Sequence, residues 1–219
     1  MNNQKLSELK SLYENELQDK VKNGYTPFVI RMTDSYDGKN GVLFVGKAEN
    51  MKDKDNTTID AAFHQAQKGI DKERFVKKPV GKAAGSAYNR VVYQLTKDLN
   101  DTKNINSFAR TNLYKLSTTK SDIFGSNYEE IFVDIFKKEI ELLQPKYVIM
   151  LTSGLEKPFL KKIGKKHTLD KADFQSKSIK YIQFDGLESV FITAVHPQGK
   201  PEKELVKTII SLINNTEKI

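Results

Sequence analysis

Short apolar runs constrain this chain more than any other feature. VLFVG at 42–46 and the apolar part of KYVIMLTSG at 146–154 are almost wholly hydrophobic and too short to be amphipathic helices. Continuous apolar runs of this length, closed by glycine, are the pattern of strands buried on both faces of a parallel sheet. SIKYIQF at 178–184 and SVFITAVH at 189–196 add two further strand candidates, and PFVIRM at 27–32 and SFARTNLYKL at 107–116 two more. Segments of helical period lie among them. Leu6, Leu9, Tyr13, Leu17 and Val21 mark a helix over 4–21, and Tyr88, Val91, Val92 and Leu95 mark one over 84–99. Phe132, Ile135, Phe136, Ile140 and Leu143 mark a third over 126–143, with Ser126 and Glu129 as a capping box and Pro145 as its stop. The last begins at Pro201, with Glu202 and Glu204 at the positive end of its dipole. Strands that alternate with helices predict an α/β fold: a three-layer sandwich around a mostly parallel central sheet. Residues 47–82 show no regular period and are expected to form an irregular segment inside one domain spanning 1–219, with 1–24 as an N-terminal helix.

Composition narrows the chemistry. A chain of 219 residues fits one sizeable domain, large enough to bury a core without staples. There is no cysteine, which excludes disulfides, thiol nucleophiles and thiolate-held zinc or iron–sulfur centres. His64, His167 and His196 have no metal-ligand spacing, so neither a metal nor a cofactor is expected. No apolar run approaches the roughly 18 residues of a membrane span, and residues 1–20 are too polar for a secretory signal, so a cytoplasmic monomer is expected. The net charge of +8 is compatible with a polyanionic partner. It comes mostly from lysine, however, with arginine only at positions 31, 74, 90 and 110, and a lysine-rich surface serves solubility as readily as phosphate binding.

In a parallel sheet the active crevice lies beyond the carboxyl ends of the strands. The segments to compare are therefore Gly46-Lys47-Ala48-Glu49-Asn50, Thr111-Asn112-Leu113-Tyr114-Lys115, Thr152-Ser153-Gly154 and His196-Pro197-Gln198-Gly199-Lys200. Taken singly, each has an ordinary structural reading. Asparagine and glutamate at strand ends satisfy loop backbone groups, and His-Pro is a rigid turn into a helix.

Taken in order, the segments resemble the uracil-DNA glycosylase superfamily. VLFVGKAEN stands where that family has its first glycine-bearing loop, and KKPVGKAAGSAYNRVV looks like its P-F-V-G-x-A-G stretch. Thr111-Asn112-Leu113-Tyr114-Lys115 matches T-N-x-x-K, Leu143-Gln144-Pro145-Lys146 matches L-x-P-K, and Phe191 to Pro197 matches the strand that ends in His-Pro. The likeness runs from about residue 42 to 214. It implies hydrolysis of the N-glycosidic bond of uracil or a related damaged base in DNA, after the base is flipped into a pocket. It also implies His196 as the donor to the departing base and Glu49 as the carboxylate that activates water. Asn112 would read the amide edge of the base, Gly46 and Ala48 would line the base site through their backbone, and Phe63 or Phe75 would substitute as the ring that stacks on the base. Gln198 and Lys200 would contact phosphates. Lys47 and Ala48 stand where active members carry a carboxylate, Val80 follows Pro79 in place of the stacking phenylalanine, and the cysteines of the cluster-bearing branch are absent. Two alternatives stay open: a catalytically inactive nucleic-acid-binding member of the same fold, and a pocket for a free nucleobase or other small metabolite.

Overall fold

The computed structural model describes residues 3–22, 25–33, 36–47, 58–69, 85–103, 107–117 and 128–217. In chain order the elements are α1 (Asn3–Lys22), β1 (Thr26–Pro27), β2 (Arg31–Met32), β3 (Gly41–Gly46), α2 (Ile59–Gly69), α3 (Ala87–Lys103), β4 (Ser107–Asn112) and β5 (Leu116–Ser117). Then follow α4 (Glu129–Leu143), β6 (Tyr147–Leu151), α5 (Lys157–Ile163), β7 (Lys166–Phe174), β8 (Lys177–Phe184), β9 (Val190–Ala194) and α6 (Glu202–Thr216). A short 3-10 turn at Gly38–Asn40 leads into β3.

The fold is α/β, and its main sheet is mixed. Seven strands run in the order β2-β4-β3-β6-β9-β8-β7. The central four pair in parallel: β4 with β3, β3 with β6, and β6 with β9. Antiparallel strands flank them, β2 on β4 at one edge and the β8–β7 hairpin on β9 at the other. This corrects the expectation of a mostly parallel sheet. The apolar runs of β6 and β9 have the burial of central parallel strands, but β8 carries the same kind of composition and runs the other way. Strand direction depends on the connection, and the two residues between Phe174 and Lys177 permit only a hairpin.

Alternation along each central strand divides the core. Leu43, Val45, Val148, Met150 and Phe191 belong to one buried cluster with side chains of α1, α2, α4 and α5. Val42, Phe44, Ile149, Leu151 and Ile192 belong to the other, with side chains of α3 and α6. Helices therefore cover both faces, as period-2 strands with two apolar faces require. No described helix is long and apolar enough to cross a membrane.

Several boundaries differ from the sequence expectation. The segment 27–32 yields two dipeptide strands in different sheets, β1 on β5 and β2 on β4. The stretch expected to be irregular contains α2, whose Phe63 packs edge-on against Tyr13 at 5.4 Å. The 126–143 helix begins at Glu129 with Tyr128 as N-cap and no side-chain cap, and Ser126 of the proposed capping box lies outside the described residues. Its stop is as expected: Gln144 before Pro145 adopts the left-handed conformation (φ 49°) and donates its N–H to Ile140 O at 2.8 Å.

Candidate functional site

The carboxyl ends of β4, β3, β6 and β9 lie side by side, so the loops after them share one rim. The chain leaves β3, forms β4 on one side of it and then β6 on the other, which makes the β3–β6 boundary a topological switch point. Such boundaries open a crevice because successive connections pass over opposite faces of the sheet.

Gly46 ends β3 directly beside Asn112, the end of β4. The two are packed so closely that a Cβ on Gly46 would lie 2.5 Å from Asn112 Oδ1 and 3.5 Å from the ring of Tyr88. Glycine is needed there for space. The side chain of Asn112 is buried and lies over the β3 terminus. Leu113 donates its N–H to Gly46 O at 3.0 Å and Tyr114 to Lys47 O at 3.1 Å, which locks the two strand ends together past the last ladder pair.

Tyr88 links this corner to His196. It lies in the first turn of α3. Its ring is near-parallel to the imidazole, with centroids 6.2 Å apart and an angle of 18° between planes. From the other strand, the guanidinium of Arg110 lies 5.0 Å from the Tyr88 ring centre. The Tyr88 ring thereby stands against Arg110 and His196 and beside Gly46, the ladder partner of Asn112.

His196 is held from both sides. Its backbone N–H donates to Ser153 Oγ at 2.7 Å. Ser153 is in the left-handed region (φ 57°), and its own N–H donates to Ala194 O at 3.1 Å, so the β6 and β9 ends are cross-tied. The buried carboxylate of Glu156 stiffens that turn by accepting from the Thr152 hydroxyl and, at 2.8 Å, from the Gly154 N–H. The Gln198 N–H donates to His196 Nδ1 at 3.3 Å. A ring that accepts at Nδ1 carries its proton on Nε2 when neutral. Burial, and then the positive charge of Lys47, hold the imidazole below its usual pKa of 6.5. At neutral pH the group is thus an uncharged Nε2–H donor.

Of the residues singled out from sequence, Gly46, Asn112 and His196 are brought to one rim. Gln198 and Lys200 are exposed in the turn after β9, where the Lys200 N–H donates to Pro197 O at 3.0 Å. Glu49, Ala48 and Phe75 lie outside the described residues. Among the described residues no group of three His, Asp or Glu side chains is arranged to hold a metal ion.

Two participants escape a reading by sequence. Tyr88 has the spacing of a core position on α3 and is indeed buried, but at the helix end its ring reaches the rim. Lys115 falls in the T-N-x-x-K segment without an assigned task. It is fully buried on the opposite sheet face, where Nζ donates to Glu139 Oε2 at 2.7 Å and to Thr111 Oγ1 at 2.6 Å. Thr111 donates to Glu139 Oε1 at 2.9 Å, and the Tyr13 hydroxyl of α1 donates to the same oxygen. This network holds the residue immediately before Asn112.

Comparison with known proteins finds no family model that matches the chain and no curated protein with significant similarity to it.

Proposed function

We propose that the chain is a uracil-DNA glycosylase-like protein that hydrolyses the N-glycosidic bond of uracil or a related damaged base in DNA, within a three-layer fold of that type. One observation carries the reading: a neutral Nε2–H donor at His196 and a buried carboxamide at Asn112 sit on the same rim of the parallel strands, with Tyr88 against the imidazole and beside Gly46. That is the equipment a flipped base requires. A carboxamide donates and accepts at once, which suits the adjacent N–H and carbonyl of a pyrimidine edge.

In the reaction the bond between the sugar C1′ and the base nitrogen breaks, and its electron pair leaves on the base. Negative charge gathers on the base oxygen, where the His196 Nε2–H stabilises it. A preorganised donor of this kind contributes about 10²–10³ in rate. A neutral donor is suitable because it need not surrender its proton. Water adds to C1′, and its proton passes to a carboxylate, the role assigned to Glu49. Phe75 is the stacking ring in this reading, Ala48 lends its backbone to the base site, and Gln198 and Lys200 meet the phosphates.

Purified protein, incubated with single-stranded and duplex oligonucleotides that contain one uracil, should yield abasic sites cleavable by alkali. His196→Ala and Asn112→Ala should each reduce the rate by about 10²-fold or more. Absence of abasic product from the wild-type protein sinks the enzymatic reading.

Lys47 favours a second reading, a binding module without cleavage. Its charge acts on His196 from the position where a carboxylate serves active members of the family. That reading expects uracil-containing DNA to bind, with no abasic product and no effect of Glu49→Gln. A thermal shift with free uracil but none with DNA would instead support a small-molecule pocket.

A further inference from the structure

The chain turns sharply after β6. Ser153 and Gly154 both lie at positive φ, 57° and 96°, and the Leu155 N–H closes the turn on Thr152 O at 3.3 Å. Two successive positive φ values are the pattern of a type I′ turn, whose first central position favours asparagine, aspartate or glycine. Serine is a poor choice there, because its Cβ crowds the backbone in the left-handed region. The turn is nevertheless braced. The buried carboxylate of Glu156 accepts from the Thr152 hydroxyl and from the Gly154 N–H at 2.8 Å. The Thr152 and Ser153 N–H groups both donate to Ala194 O, at 3.2 and 3.1 Å. A buried charge and the end of β9 thus hold a serine in a conformation that serine disfavours. Strain fixed in this way by its surroundings clusters where it serves a function.

What the serine supplies is its hydroxyl. The β9 ladder ends at Ala194, so His196 lies beyond the bonds of the sheet. Its N–H donates to Ser153 Oγ at 2.7 Å. The Gln198 N–H that meets His196 Nδ1 belongs to the same loop and moves with it. Among the described residues, Ser153 is therefore the hydrogen-bond partner that ties His196 to a different connection. Pro197 carries that anchor forward. It restricts His196 to extended backbone and fixes its own φ, so the place of the His196 N–H decides where the Gln198 N–H meets the ring. We propose that Ser153 is a positioning residue for His196: its hydroxyl, fixed by the left-handed turn, sets where the imidazole stands and which of its nitrogens is held by the loop. The positioning stands apart from the reaction, whereas its effect on base release rests on the function proposed above.

Ser153→Gly separates this role from a structural one. Glycine removes the hydroxyl and also relieves the left-handed cost. The variant is expected to keep a urea midpoint at or above that of the wild type. Nitrogen NMR of the full chain with isotope-labelled histidine reads the ring directly. At neutral pH the wild-type His196 should show one protonated and one unprotonated ring nitrogen. In Ser153→Gly the two signals should draw together, because a ring released from the Gln198 N–H exchanges its proton between both nitrogens. Release of uracil from a single-stranded oligonucleotide should fall about tenfold or more in kcat, with KM within about twofold, since a displaced donor is missed mainly in the transition state. Ser153→Asn tolerates the left-handed conformation and restores an acceptor, so it should regain most of both losses. Wild-type ring signals in Ser153→Gly overturn the proposal, whatever the rate. A stability loss in Ser153→Gly that accounts for its loss of rate overturns it too, because the hydroxyl is then a structural tie. If the wild-type protein releases no base, yet the ring signals move in Ser153→Gly, the positioning role is retained and the glycosylase reading is removed.

Discussion

Gly46 shows how much of a site can depend on one missing atom. Its replacement by alanine puts a methyl group against Asn112 Oδ1, and the β3–β4 ladder leaves the backbone little room to give way. Asn112 must rotate or the strands must part. Gly46→Ala is expected to cost about 1–3 kcal/mol of stability, the usual penalty for overpacking. It should also reduce base release at least tenfold, and more than a surface variant such as Lys200→Ala. Steady-state assays of both variants check this, and equal activities would show that Asn112 does not need its present position. Tyr88 makes the complementary case. Tyr88→Leu keeps an apolar side chain on α3 but removes the ring against His196 and Arg110. It should impair turnover with a stability loss of about 1 kcal/mol, the size of an aromatic pair's excess over simple burial. A wild-type rate in Tyr88→Leu would make the ring a filler only.

At the scale of elements, the buried quartet of Lys115, Glu139, Thr111 and Tyr13 joins α1, β4 and α4 behind the site. Both charges are fully buried, and burial lowers the lysine's pKa more than Glu139 restores it. Lys115→Met or Glu139→Met leaves one group without its partner and should destabilise by about 3–5 kcal/mol in urea unfolding. The double replacement Lys115→Met with Glu139→Met should recover most of that loss. Additive single effects would mean that the pair is not coupled. Nothing in the spacing of Lys115 and Glu139 announces this contact, because the two residues come from a loop and from the apolar stripe of a helix. The elements read well wherever periodicity was strong: α1, α3, α6, β3 and β6 lie close to where Leu9, Val91, Leu205, Val42 and Tyr147 indicate. Reading failed where tertiary pairing decides. β7 is an exposed edge strand of Lys, His and Asp whose charged surface hides its strand character, and the seven-residue helix α5 is too short to show a period. The same distinction applies to the site. Asn112 and His196 are visible as polar residues at the ends of apolar strands, whereas Tyr88 and Arg110 acquire their places only through packing.

The whole molecule places two acid-sensitive clusters at opposite ends of the parallel strands, about 17 Å apart along a five-residue strand such as β6. His196 lies at the carboxyl end. At the amino end, Glu217 just past α6 accepts from the Tyr147 hydroxyl of β6 and pairs with Lys103 of α3 at 2.6 Å. Burial pushes the Glu217 carboxyl up, but the hydrogen bonds from Lys103 and Tyr147 and the charges of Lys146 and Lys103 outweigh it and hold the pKa below the usual 4.5. Both depressed pKa values have the same sign of linkage, since in each case the unfolded chain binds the proton more readily. The His196 contribution is complete above 6.5 and declines as pH falls below it. The Glu217 contribution is complete above 4.5 and is lost as pH falls through its lower folded value. Acid should therefore weaken the fold in two stages, first at the crevice and then at the far end. Urea midpoints measured from roughly pH 8 to pH 3 should show both stages in the wild-type protein. His196→Gln should flatten only the stage just below 6.5, and Glu217→Gln only the stage below 4.5. Because the two groups share no partner, the double variant should lose both stages additively. A single stage abolished by either substitution alone would contradict the independence of the two ends. Activity provides a second readout of the first stage: base release should persist as pH drops to 6.5 and decline only below it, once His196 takes up a proton and its Nδ1 can no longer accept from the Gln198 N–H.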